Sequence, residues 1–269
     1  MRRTLKKGTQ EAHDRVESLP FIKTLADPTA NLPAQLLRDH ISHKIHYLST
    51  LERLLLKQED AFLSRSRHLF DILQCLKALF RTAALNKTAS FLDDRWGTQA
   101  LSSLPPAVVA YARYLEGLAD STPIFLIFHG WVSLCDGIFG GAVVAGAVSQ
   151  RFGEEAAQFA RYPDLLPPIR RLEGKEEYAK FPESLRQVLP WYHQHFQVRT
   201  ISFSRSEVHP PSTTHTLFQT PLEAYPWQPE DIERAIAEAI VAFDAVYQMG
   251  LAITDSATSR NERLLKARM

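Results

Sequence analysis

A disulfide framework, a large net charge and a nucleotide motif are all lacking. Of 269 residues only two are cysteines, Cys75 and Cys135, in apolar surroundings and without a CxxC or Cys/His ligand spacing. That excludes a disulfide framework and fits a reducing, cytoplasmic setting. Lys and Arg number 31 against 30 Asp and Glu, a formal net charge of +1, so no global field exists to hold nucleic acid, although MRRTLKK and RNERLLKARM are locally basic. No GxGxxG or GxxxxGK[ST] occurs, so any electrons must come from outside the chain. The basic N-terminus is followed by no apolar core of seven or more residues and is not expected to be a secretory signal. Apart from VRTISF, no stretch alternates at period two, and no internal repeat is visible.

What is present is helical period. With 45% hydrophobic residues, 269 residues can bury a full core as one domain. Leu5, Gly8, Thr9, Ala12, Val16 and Leu19 are spaced as one face of a helix over 5–19, with His13 at its edge. After the DPTANLP turn, with Asn31 as cap and Pro33 near the first turn, a long helix runs through LLRDHISHKIHYLSTLERLLLKQ. Helical period continues over 61–85, LDDRWGT and SSLPP punctuate, and AVVAYARYLEGLAD follows. Residues 152–230 are rich in proline and aromatics and read as a long, partly irregular excursion packed on the helical body. The last clear helix is PEDIERAIAEAIVAFDAVYQMGLAI, entered through Pro229, Glu230 and Asp231, with a polar tail over 254–269. The class is all-α, one domain over 1–269, with 152–215 as an extra region.

Glycine is scarce, eleven in all, yet five of them (Gly130, Gly137, Gly140, Gly141, Gly146) fall inside the apolar run HGWVSLCDGIFGGAVVAGAV, residues 129–148. Each weakens a helix by roughly 1 kcal/mol against Ala. The compensation is close approach of something to bare backbone. A membrane helix is one reading, since Gly137 and Gly141 form GxxxG. Asp136 near a bilayer midplane, the polarity of His129 and Ser133, and the lack of a second span argue against it.

Taken alone, His13 reads as a histidine at the edge of an apolar face. His40, His43 and His46 read as solvated or half-buried, because three-residue steps drift around a helix and no carboxylate partner is obvious. His193 and His195, beside Pro190, Trp191, Tyr192 and Phe196, read as packing rather than as a metal pair.

The order of these residues resembles the heme oxygenases. LKKGTQEAHDRVES is similar to the family's N-terminal helix, where a Lys lies seven residues before the proximal histidine and a Glu four after it, here Lys6, His13 and Glu17. TPIFLIFHGWVSLCDGIFGGAVV resembles the distal helix without a gap, matching Pro123, His129, Trp131 and the pair Gly140 and Gly141. Weaker similarity lies in HYLSTLE, FRTAAL, AYARYLEGL and the last helix. The resemblance covers 5–148 and 228–250.

It implies a heme oxygenase-like fold and a site for heme b. His13 would be the axial ligand of the heme iron and Lys6 a propionate partner, with Glu17, Trp131 and Phe139 around the cofactor. Asp136, Gly137, Gly140 and Gly141 would form the catalytic distal wall. It also implies oxidative cleavage of heme to biliverdin, CO and ferrous iron, with O2 and electrons from an external reductase or ferredoxin. Heme is then the partner, with neither nucleic acid nor a membrane span involved. The chain departs from the family at Asp136-Gly137, where Gly-Asp is the pattern, so the acid is displaced by about 100° around a helix. Phe139 replaces a small polar residue, and the Lys and Arg of the family's penultimate helix align with His215 and Gln219, leaving Arg199 and Arg205 as candidate replacements. These departures keep two alternatives open: a protein that stores or senses heme without degrading it, and a non-heme member of the fold.

Overall fold

The computed structural model describes residues 1–77, 79–160, 222 and 225–266, without the side chains of residues 2, 3, 75, 135–142 and 256–266. Among the described residues every regular element is a helix, as the periodicity requires. They are α1 (Arg2–Glu17), α2 (Pro20–Ala26), α3 (Ala34–Lys57), α4 (Glu59–Arg65), α5 (Arg67–Lys77), α6 (Thr82–Trp96) and α7 (Pro106–Ser121). A 3-10 turn (Pro123–Phe125) leads into α8 (Leu126–Gly130), a π-helical stretch (Trp131–Asp136) and α9 (Gly137–Phe152). After α10 (Glu154–Ala157) and a short turn, the last described helix is α11 (Pro229–Lys266). VRTISF and the His193/His195 pair lie outside the described residues, as do Arg199, Arg205, His215 and Gln219.

Four sequence expectations need correction. A separate helix, α2, occupies Pro20–Ala26, where proline at the first helical position restarts the chain. The 61–85 pattern is three helices, and α6 continues through LDDRW until Gly97 adopts φ 62 and donates its N–H to the Asp93 carbonyl. The polar tail is helical to Lys266. His40 and His43 are buried, at 8% and 3% exposure, because α2 and α11 cover that face of α3.

The core is built on α3 and α11. The first packs on α6, α7 and α8, the second on α1, α2, α3, α7 and α8. On α11 the buried face is made of small residues, Ala235, Ala239 and Ala242, with Phe243, Met249 and Ile253. Small side chains let neighbouring helices come close. Where α1 crosses, the approach is tightest at Gly8: a Cβ there would lie 2.8 Å from Ile236 Cγ2. Among the described residues one helix, over Pro229–Asp255, is long and apolar enough to cross a membrane by length and composition. Its apolarity follows from having five helices as neighbours. The glycine-rich run is not that helix.

Arg38 joins α3 to the end of α6. Its Nε and Nη2 donate to Asp93 Oδ1 and Oδ2 at 2.8 and 3.0 Å, and Thr98 adds a hydroxyl at 2.7 Å to Oδ1. Arg38 is buried. Arg38→Met leaves Asp93 without its two-pronged partner and is expected to lower unfolding free energy by roughly 2–3 kcal/mol, measured by urea denaturation at pH 7.5.

Candidate functional site

His13 sits where the spacing puts it, on the face of α1 turned toward α11. Its side chain is 24% exposed, and its ring meets the buried ring of Phe243 edge-on at 5.7 Å. Both nitrogens have a carboxylate near: Asp14 Oδ1 at 3.4 Å from Nδ1 and Glu17 Oε1 at 3.5 Å from Nε2. A carboxylate holding the proton of one ring nitrogen leaves the other as a base, the arrangement that orients an imidazole ligand. His13, Asp14 and Glu17 also form the group of close metal-ligand atoms among the described residues. Lys6 is exposed on the same helix, two turns before His13, about 10 Å along the axis. Arg15 fastens α1 further, pairing with Asp244 and lying over the Tyr247 ring at 5.0 Å.

The glycine-rich run is entered through the π-helical stretch. Trp131 opens it, half-buried against the core, and Asp136 closes it, with Gly137 starting α9. A π turn accommodates an extra residue, so azimuths before and after it are not related by a constant 3.6-residue period. This places a break in helical register within the segment where the sequence departs from Gly-Asp. The side chains of Asp136, Gly137, Phe139, Gly140 and Gly141 lie outside the described residues.

A second constellation escaped sequence reasoning. His129, fully buried on α8, accepts from the Tyr111 hydroxyl at Nδ1 (2.8 Å) and donates through Nε2 to Glu238 Oε2 (3.1 Å). Tyr114 donates to the same oxygen at 2.6 Å, and Arg234 lies 3.6 Å from Oε1. Burial lowers the His129 pKa while Glu238 pulls the other way, so the ring is neutral. Burial would raise Glu238, but hydrogen bonds from His129 and Tyr114 outweigh it and hold the carboxyl below its usual range. Every polar atom of the pair has a complementary partner. The network ties α7, α8 and α11 together two residues before the π stretch, and Glu238 stands five residues from Phe243 on α11. One helix therefore contacts both the His13 ring and the end of α8 that leads into the π stretch. The signal in the sequence was Glu238 itself, a carboxylate set into an alanine face.

No family model matches the sequence, and no curated protein matches it. Solved structures do. A heme oxygenase-1 from the cyanobacterium Synechocystis sp. PCC 6803, in complex with heme, aligns with a TM-score of 0.65 at 14% identity, covering 98% of this chain and 97% of that one. A heme oxygenase-2 from Synechocystis sp. PCC 6803, in complex with heme and NO, gives 0.64 at 19% identity over 96% of this chain and 86% of that one. A heme oxygenase from Leptospira interrogans gives 0.63 at 15% identity over 91% and 96%. All three alignments run nearly the length of both chains, and the chain has the all-α heme oxygenase-like fold.

Proposed function

We propose that this protein binds heme b at His13 and cleaves it oxidatively. The observation that carries the reading is the His13 ring: a partly exposed imidazole with a carboxylate near each nitrogen, set beside an aromatic ring, on a fold shared with heme complexes. The donor set fits the group. A porphyrin iron asks for one neutral axial nitrogen, an apolar surface beside the plate, and a cation within reach of a carboxylate edge. His13, Phe243 and Lys6 supply these. Glu17 or Asp14 holds the ring proton and fixes which nitrogen is free.

Bound heme supplies an iron that binds and reduces O2, and its own ring is the substrate opened to biliverdin, with CO and ferrous iron released. The electrons come from an external reductase or ferredoxin, since the chain has no nucleotide motif. In this reading Trp131 and Phe139 exclude water above the plate, and Gly137, Gly140 and Gly141 permit close approach of backbone. Asp136 is the group that delivers protons on that side. Its displacement from the family position favours the second reading, retention of heme without turnover.

The two readings separate in one experiment. Hemin-loaded protein supplied with ascorbate, or with a ferredoxin and its reductase, is expected to lose the Soret band and gain biliverdin absorption. A stable oxygen complex with no bilin after many minutes would establish storage instead.

A further inference from the structure

The buried network of α7, α8 and α11 holds more than a stability role requires. Two phenols, Tyr111 and Tyr114, stand three residues apart on α7, and both hydroxyls end on the same pair of imidazole and carboxylate. Tyr111 is 4% exposed and donates to His129 Nδ1 at 2.8 Å. Tyr114 is 40% exposed and donates at 2.6 Å to Glu238 Oε2, the oxygen that also accepts from His129 Nε2. The rings of Tyr111 and Tyr114 lie 5.7 and 5.8 Å from that of His129, and on the inner side the buried Tyr47 of α3 lies 5.7 Å from Tyr111.

A buried phenol needs only one acceptor, and a backbone carbonyl would serve. Tyr111 instead has a neutral imidazole whose far nitrogen is backed by a carboxylate. A phenol that loses an electron becomes a strong acid and must shed its proton at once. In water the solvent takes that proton. In an apolar interior a base has to stand at hydrogen-bond distance, with a second acceptor behind it. His129 is that base and Glu238 that acceptor. Burial pushes the Tyr111 hydroxyl well above its ordinary value, and burial with the Glu238 hydrogen bond takes Tyr114 up to about 12, so neither phenol ionises before it is oxidised.

We propose that Tyr111 is a redox-active tyrosine whose proton passes to His129 as its electron leaves, and that Tyr114 carries the oxidising equivalent on to the surface. One electron goes from Tyr111 to a high-potential metal oxidant, which is reduced by one. The hydroxyl proton moves to His129 Nδ1 and the Nε2 proton moves to Glu238 Oε2. A neutral phenoxyl radical, a neutral imidazole of the other tautomer and a neutral carboxyl remain. The positive charge left by the departing electron thus cancels the Glu238 carboxylate, and none is stranded in the interior. When Tyr114 gives an electron to that radical, its own proton enters Glu238, the carboxyl proton returns to Nε2, and the Nδ1 proton restores the Tyr111 hydroxyl. The radical then stands at Tyr114, where soluble reductants reach it. The oxidant has two sources: a metal complex in solution or, resting on the proposed heme site, heme iron oxidised by peroxide.

The test uses the full chain with isotopically labelled histidine nitrogens, as wild type, Tyr111→Phe and Tyr114→Phe, with circular dichroism to verify folding. Heme-free protein is oxidised by flash-generated tris(bipyridyl)ruthenium(III) and freeze-quenched over a time series, and pulsed electron paramagnetic resonance records the radical. Wild type is expected to give a tyrosyl radical coupled to an imidazole nitrogen. Tyr111→Phe should lose the coupled signal, and Tyr114→Phe should keep it and slow its decay severalfold. A wild-type tyrosyl radical without nitrogen coupling, or a coupled one that persists in Tyr111→Phe, overturns the proposal, and the first result is read on wild type alone, whatever the variants do. An unchanged decay in Tyr114→Phe overturns the step to the surface. Hemin-loaded protein treated with hydrogen peroxide then identifies the source: the same coupled signal points to heme, and its absence to the soluble oxidant. Failure of wild-type hemin binding would overturn the heme reading alone, with the ruthenium arm still deciding this one.

Discussion

His13→Ala is expected to give the largest loss of heme binding of any single change in α1. A group that hydrogen-bonds a metal ligand is worth roughly 10–100-fold in affinity, so losing the ligand itself should cost at least that much. The Soret band of the variant should shift in position and intensity, and millimolar imidazole, entering the space the side chain leaves, should restore it. The rescue separates a missing nitrogen from a collapsed helix. Collapse is not expected, because the fixed contacts of α1 lie elsewhere: Leu5 and Ala12 in the core, Gly8 against Ile236 and Arg15 on Asp244. Glu17→Gln should be milder, since Asp14 stands near the other nitrogen. Identical spectra for wild type and His13→Ala would remove the axial assignment and leave the acidic surface of α1 as a solvated face.

How far the sequence carried this depended on whether the information was local. The position of His13 at the edge of the apolar face of α1 is legible because it needs only that helix's own period. Pro229 with Glu230 and Asp231 marks the start of α11, because caps and dipoles act within one turn. His40 and His43 differ for the opposite reason. Their spacing says nothing of what covers them, and the cover comes from α2 and α11, the latter about two hundred residues away. The π stretch was likewise illegible: nothing in WVSLCD distinguishes one inserted residue from a regular turn, and the glycines that follow make helix continuity weakly specified. Glu238 was passed over because period analysis treats a charged residue on an apolar face as noise. In α11 it is the carboxylate to which His129 and Tyr114 donate.

That makes Glu238 the position where stability should respond most. Glu238→Ala removes the acceptor of two donors, leaving the His129 Nε2–H and the Tyr114 hydroxyl unpaired and one of them fully buried. The expected cost is about 2–4 kcal/mol. Glu238→Gln keeps an amide oxygen in place and should cost about 1–2 kcal/mol, as the exchange of a charged for a neutral acceptor. The pH dependence follows from the directions of the shifts. Glu238 is held below 4.5 in the folded state, so its charge supports the fold above pH 4.5, and that support is lost as pH falls through the folded value. His129 is held below 6.5, so the unfolded chain takes up its proton first, and stability declines as pH drops from 6.5. His40 and His43, both lowered by burial, add to the same slope, His43 down to about pH 4. Urea midpoints measured from pH 7.5 to 4 should therefore fall steadily below 6.5 in wild type. Glu238→Gln should run parallel and lower down to pH 4.5, then converge as the wild-type carboxylate protonates. A Glu238→Ala unfolding free energy within 1 kcal/mol of wild type at pH 7.5 would mean that α8 keeps its place by packing alone, without the network.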